Sequence, residues 1–162
     1  MSFDVCFQFS FELAHRLDSA FSAACVNTIH GHSYKVDVFV TSERLNSDGM
    51  VVDFGLLKEM CESLRSVYDH AVILSKRSVL KALKSNVRCS LARPTKKQMA
   101  EAHRLFGQKL LISTFNPTAE QMAKAFHDSL SNRLHELRLW NNPILSVVRV
   151  HETEHGFAQY SG

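Results

Sequence analysis

His30 and His32 stand one residue apart in the run CVNTIHGHSYKVDVFV, and His15 closes the run FDVCFQFSFELAH. Side chains two apart on a strand point to the same face, so the imidazoles of His30 and His32 can converge on one point. His15 continues the parity of Val5, Phe7, Phe9, Phe11 and Leu13, the apolar face of its own run. If the two runs pair as a hairpin closed by residues 16–29, all three histidines meet at the loop end on one face. Three neutral imidazoles leave the fourth position of a tetrahedral zinc ion open, the arrangement of a catalytic rather than a structural zinc. A His-x-His pair on a strand also occurs as two satisfied core residues. The third in-phase histidine is what favours a metal.

The elements that must position these groups follow from periodicity. Residues 5–15 alternate apolar with Gln8, Ser10 and Glu12, and predict a half-buried strand. His30, His32, Tyr34, Val36, Val38 and Val40 share one face of a second strand, with Phe39 the one bulky residue on its polar side. The stretch NSDGM (46–50) reads as a turn. DFGLLKEMCESLRSVYDH then takes helical spacing, with Leu56, Met60, Leu64 and Val67 on one side. QMAEAHRLFGQKLL predicts a helix inside a basic stretch. FNPTAEQMAKAFHDSLSNRLHEL carries a helix start at Asn116-Pro117, with Thr118 and Gln121 spaced as a capping box. Met122, Phe126, Leu130 and Leu134 follow at four-residue intervals. The chain closes with a strand, a glycine turn and a short strand in PILSVVRVHETEHGFAQYSG. This order predicts an α+β fold, an antiparallel sheet covered on one side by helices.

At 162 residues and 45% apolar, the chain is expected to form a single domain spanning 1–162 with a real core. No apolar run approaches a membrane span, and the N-terminus has no secretory pattern. Cys6, Cys25, Cys61 and Cys89 lack metal or disulfide spacing, so a reducing, cytoplasmic setting is expected. The net charge of +3 is unevenly spread. Residues 76–109 hold ten Lys or Arg against one acid, Glu101. Such a segment can meet a polyanion or be a solvated helical insert. It lacks interleaved aromatics except Phe106, and no nucleic-acid-binding motif occurs, so no nucleic-acid partner is expected.

FELAH, a cysteine shortly before HGHSYKV, MVVDFGLLK, YDHAVIL, NPTAEQMA and VRVHET occur in this order from about residue 5 to 160. Together they resemble the 6-pyruvoyl-tetrahydropterin synthase and 6-carboxy-tetrahydropterin synthase family. The basic insert of about 76–112 has no counterpart in the compact bacterial members. The resemblance implies a tunnelling fold, a four-stranded antiparallel sheet with two main helices on one face. Three subunits would join sheets and two trimers would stack into a homohexamer, with active sites at subunit interfaces. It implies that His15, His30 and His32 hold Zn2+, in agreement with the parity argument.

The same resemblance implies the remaining roles. Glu152 would anchor a pterin, accepting two parallel N–H bonds. Asp69 and His70 would relay protons, the acid fixing the imidazole tautomer. Cys25 would be the base, a thiolate favoured by zinc and His70. Its offset from His30 is one residue longer than in the 6-carboxy enzymes and one shorter than in the animal pyruvoyl enzymes. In a related subgroup a glutamate takes the cysteine's role, but residues 16–29 contain none. Thr118 would approach the pterin, while Asp53 and Phe54 match family positions read as a helix N-cap and packing. The expected activity is a zinc-dependent lyase reaction of 7,8-dihydroneopterin triphosphate. It would form 6-carboxy-tetrahydropterin, acetaldehyde and triphosphate on a route to queuosine-type deazaguanine nucleosides. The alternative is 6-pyruvoyl-tetrahydropterin formation on a tetrahydrobiopterin-type route. The alternative from another class is a non-catalytic zinc or nucleic-acid-binding module built on residues 76–109.

Overall fold

The computed structural model describes residues 1–83, 95–106 and 109–162. Cys89 and part of the expected insert, 84–94 and 107–108, lie outside the described residues. The elements run β1 (Phe3–Arg16), α1 (Ala23–Asn27), β2 (His30–Ser42), α2 (Phe54–Tyr68), β3 (Ala71–Ser75), α3 (Lys76–Leu83), α4 (Lys96–Phe106), β4 (Leu110–Ser113), α5 (Ala119–Glu136), β5 (Ile144–Thr153) and β6 (Gly156–Ser161). They fall into two compact units, the first formed by 1–11, 33–67 and 119–162 and the second by 12–32 and 68–118.

In the first unit β2 pairs antiparallel with β5, and β5 with β6. The predicted inner face of β2 is the observed one: Tyr34, Val36, Val38 and Val40 are fully buried. α5 buries Met122, Phe126, Leu130 and Leu134, the four residues read from the sequence. The Phe11 ring stacks on Tyr34 at 5.4 Å and meets the edge of Phe126 at 6.0 Å. Full burial of each such side chain contributes about 1.5–3 kcal/mol. α2 starts as expected, with Asp53 Oδ1 accepting from the backbone N–H groups of Gly55 and Leu56 at 2.7 and 3.2 Å. Its buried stripe, however, is Leu57, Met60, Cys61 and Leu64. Leu56 is only half-buried and Val67 and Phe54 are exposed, so the buried stripe differs from the expected one and Phe54 is not a core residue.

Burial pushes the Cys61 thiol up to about 12, desolvation disfavouring the thiolate. Native protein treated with iodoacetamide at pH 8 should therefore leave Cys61 unmodified, and denaturant should expose it. Peptide mass spectrometry reads the difference, and rapid native labelling of Cys61 would contradict the burial.

The second unit departs from a purely antiparallel sheet. β3 runs parallel to the end of β1, pairing Leu13 with Ala71 and His15 with Ile73. β4 runs parallel to β3, pairing Val72 with Leu110 and Ser75 with Ser113. The α+β class holds, but the described residues form six strands where four were expected. The physical reason is that Ala71–Leu74 is a continuous apolar run, as strands buried on both faces are, and shows no alternation for a sequence reading to detect. Leu110 and Leu111, expected at the end of a helix, belong to β4 for the same reason. Leu74, Val79, Ala102 and Leu110 form this unit's core, with Ile29, Val72 and Ile112 packed against it.

Candidate metal centre and surrounding groups

β1 and β2 deliver the three histidines within the second unit. His15 is fully buried because β3 flanks it in register. The ligand nitrogens of His15, His30 and His32 all lie within 4.8 Å of one another. Ring centroids stand 4.6 to 5.1 Å apart, with interplanar angles of 60°, 79° and 88°. The rings thus present edges to a common centre rather than stacking.

The outer nitrogens decide the tautomers. His15 Nδ1 lies 2.9 Å from the Pro117 carbonyl, and His30 Nδ1 lies 3.1 Å from the Thr28 carbonyl. A carbonyl only accepts, so each Nδ1 carries its hydrogen and each neutral Nε2 holds a lone pair. Those two Nε2 atoms are 3.1 Å apart. Two facing lone pairs repel unless a cation lies between them, and tetrahedral zinc at about 2.0–2.1 Å from each nitrogen would hold them about 3.3 Å apart. The backbone carbonyls behind them are the orienting partners that metal-bound histidines use. The donor set therefore fits a divalent metal ion. An alanine Cβ at position 31 would meet nothing nearer than the Leu13 carbonyl at 3.7 Å, so Gly31 is not required for space.

Asp69 and His70 follow α2. Asp69 Oδ1 accepts from the backbone N–H of Glu12 at 3.0 Å and lies 3.0 Å from His70 Nδ1. The His70 backbone N–H donates to the Glu12 carbonyl at 2.7 Å. His70 adopts φ 58°, a left-handed conformation uncommon for a residue with a side chain. The carboxylate thus holds one imidazole nitrogen while the ring stays 78% exposed. Cys25 lies half-buried in α1, its carbonyl accepting from Leu17 N–H at 2.9 Å. It stands outside the three-histidine group. Thr118 precedes α5 and follows Pro117, the residue that orients His15.

In the first unit Glu152 continues the face of Val148 and Val150 on β5 and is half-buried. The β5–β6 register shifts between His151 and Thr153, a local irregularity of the kind that re-aims a side chain. Two features escaped the sequence reading. The buried Tyr34 hydroxyl donates to Glu152 Oε1 at 3.2 Å, although the phenol reads simply as core. On the opposite face Asp37 is 4% exposed rather than solvated. Its carboxylate faces His151 Nε2 at 2.9 Å and accepts from Gln8 Nε2 at 2.8 Å. The strand end carrying Glu152 is thereby tied on both faces. No local signal pairs residues so distant in the chain.

Residues 4–162 match the family model described as 6-pyruvoyl tetrahydropterin synthase. A Helicobacter pylori (strain J99) protein named 6-carboxy-5,6,7,8-tetrahydropterin synthase is 30% identical over 155 residues, covering 93% of this chain and 68% of the relative. An Aquifex aeolicus protein of the same name is 33% identical over 136 residues, covering 84% and 75%. Among solved structures, an uncharacterized protein from Wolinella succinogenes superposes with a TM-score of 0.76 at 24% identity, covering 100% of this chain and 99% of that one. A Caenorhabditis elegans 6-pyruvoyl tetrahydropterin synthase superposes with a TM-score of 0.64 at 23% identity, covering 100% and 96%. These two structures establish the fold.

Proposed function

The chain belongs to the 6-pyruvoyl tetrahydropterin synthase family, and we propose that it is a zinc-dependent lyase that converts 7,8-dihydroneopterin triphosphate and one water to 6-carboxy-tetrahydropterin, acetaldehyde and triphosphate. The observation that carries the metal-dependent part is the pair of Nε2 lone pairs of His15 and His30 facing each other at 3.1 Å, with both outer nitrogens committed to carbonyls. The names of the Helicobacter and Aquifex relatives support the carboxy product.

Glu152 anchors the pterin, its carboxylate accepting parallel N–H bonds from the 2-amino group and ring N3. Tyr34 positions that carboxylate through Oε1. Zinc, when bound, supplies a positive charge that acidifies a ligated hydroxyl or water. Cys25 accepts a proton from the substrate side chain, and His70, oriented by Asp69, passes protons onward. Thr118 contributes a polar contact at the start of α5. The assembly in this reading is a dimer of trimers acting in the cytoplasm, and the exposed Phe157 on β6 and Phe3 on β1 suit strand-edge contacts between copies. Among the described residues no helix is long and apolar enough to cross a membrane.

Tyr34→Phe removes one donor to Glu152 while keeping the ring. It should raise KM for the pterin by about tenfold and leave the zinc content at one per chain, a result steady-state kinetics with metal analysis would read. An unchanged KM would mean that Tyr34 does not position the anchor.

The decisive experiment incubates the zinc-loaded protein with 7,8-dihydroneopterin triphosphate and identifies the products. Equal amounts of acetaldehyde and 6-carboxy-tetrahydropterin are expected. Formation of 6-pyruvoyl-tetrahydropterin without acetaldehyde would replace the carboxy reading with the pyruvoyl one. No turnover by zinc-replete protein would reject both.

A further inference from the structure

A second concave site lies in the second unit, where β1 ends and α3 begins. Arg16, Asp18, Arg77, Ser78 and Lys81 are among the residues that line a cavity of about 420 Å³, a volume typical of small-molecule sites. Three of these side chains are cationic. Arg77 and Lys81 stand at i and i+4 on α3, so their charges lie side by side, an arrangement that destabilises a helix unless something offsets it. Among the described residues neither has an ion-pair partner, and Arg16 makes only a long contact, 3.5 Å, to the Ser78 carbonyl.

The one carboxylate in the lining, Asp18, is tied to the start of α3. Its Oδ1 accepts from the hydroxyls of Ser75 and Ser78 at 2.5 and 2.7 Å, and its backbone N–H donates to Asn116 Oδ1 at 2.7 Å. Ser75 Oγ also accepts from the Ser78 backbone N–H at 2.9 Å. This network fixes the start of α3, and hence Arg77 and Lys81, relative to the end of β1. The result is a concavity whose three cations face a single carboxylate, Asp18, and which therefore keeps a net positive charge. Two guanidinium forks and an ammonium suit a ligand with several phosphoryl oxygens.

We propose that Arg16, Arg77 and Lys81 form a binding site for a phosphate chain, which in the reading above is the triphosphate tail of the substrate. Arg16 directly follows the metal-centre residue His15 at the end of β1, where successive side chains leave the strand on opposite faces. The proposal gives part of the basic segment a specific task. It rests on the proposed pterin activity only for the identity of the ligand's carrier.

The test uses the full zinc-loaded chain, an Arg77→Ala/Lys81→Ala variant and the charge-keeping Arg77→Lys/Lys81→Arg variant. Each is titrated calorimetrically with inorganic tripolyphosphate, with zinc content checked afterwards, and each is assayed for KM and kcat on 7,8-dihydroneopterin triphosphate. The wild type should bind tripolyphosphate, more weakly as salt rises. The alanine variant should bind it at least about tenfold more weakly, and the charge-keeping variant should recover most of the loss. A parallel rise in KM with kcat within about twofold would identify the substrate tail as the ligand. Loss of tripolyphosphate binding with KM unchanged would support the site with a free phosphate chain as its occupant. Equal binding by wild type and alanine variant, or none by the wild type, would overturn the site. Absence of turnover by the wild type would count against the pterin reading alone, since the titration decides the site independently.

Discussion

Replacing His30 by Ala should reduce bound zinc from one to well below one per chain and cut turnover at least about a thousandfold. The reason is local. His15 and His30 each hold a hydrogen on Nδ1 against a backbone carbonyl, which leaves two lone pairs 3.1 Å apart and aimed at each other. Deleting one imidazole leaves two nitrogens, too few for a tetrahedral site with three protein ligands. The charge that a metal contributes to the transition state, several kcal/mol, then disappears, and each 1.36 kcal/mol is tenfold in rate. His30 is the cleaner position because it is half-buried, whereas His15 is wholly enclosed and its removal would also open a cavity. Metal analysis of the purified variant and acetaldehyde release measure the two effects. Retention of stoichiometric zinc, or turnover near that of the wild type, would refute the three-histidine centre. Stripping the wild type with a chelator should reproduce the loss, and zinc should restore activity.

The second large effect concerns proton transfer. Cys25→Ala and His70→Ala should each lower kcat by about 10²–10⁴ with little change in KM or zinc content. If the thiol and the imidazole act as one relay, the double variant should be no slower than the slower single variant. Multiplying losses would show that the two act independently. An unaffected Cys25→Ala enzyme would remove the thiol from the mechanism. Asp69→Asn tests the orienting role: the amide keeps the shape but loses the charge that faces His70 Nδ1 at 3.0 Å. Its effect should be smaller than that of His70→Ala and should fall on kcat rather than on KM.

Much of this architecture was readable from local pattern. Where a strand has one buried face, period-two alternation reports it, which is why the inner faces of β1 and β2 could be assigned residue by residue. The i, i+4 series on α5 predicted the large apolar residues of its buried face, though not Ala119, Ala123 and His127 beside them, and the acid at position 53 predicted the cap on α2. Patterns failed where burial was two-sided or shared. Ala71–Ser75 and Leu110–Ser113 carry no alternation, so no local pattern marks β3 and the start of β4 reads as the end of a helix. On α2 the expected Met60 and Leu64 are buried, but Leu57 and Cys61 take the places expected for Leu56 and Val67, because Leu56 and Leu57 are both apolar and only packing chooses between them.

By itself the sequence determined that three histidines share a strand parity, that an acid-histidine pair ends a helix and that a dense basic segment interrupts the chain. It could not determine the tautomers, because these depend on carbonyls of Pro117 and Thr28 brought in by folding. Nor could it couple Tyr34 to Glu152, 118 residues away, or reveal that Asp18 is held by two serines in a cavity where three cations face that one carboxylate. Side-chain direction along one strand is a local property fixed by backbone geometry. Which donor meets which acceptor is a property of distant segments in register, and only the tertiary structure supplies it.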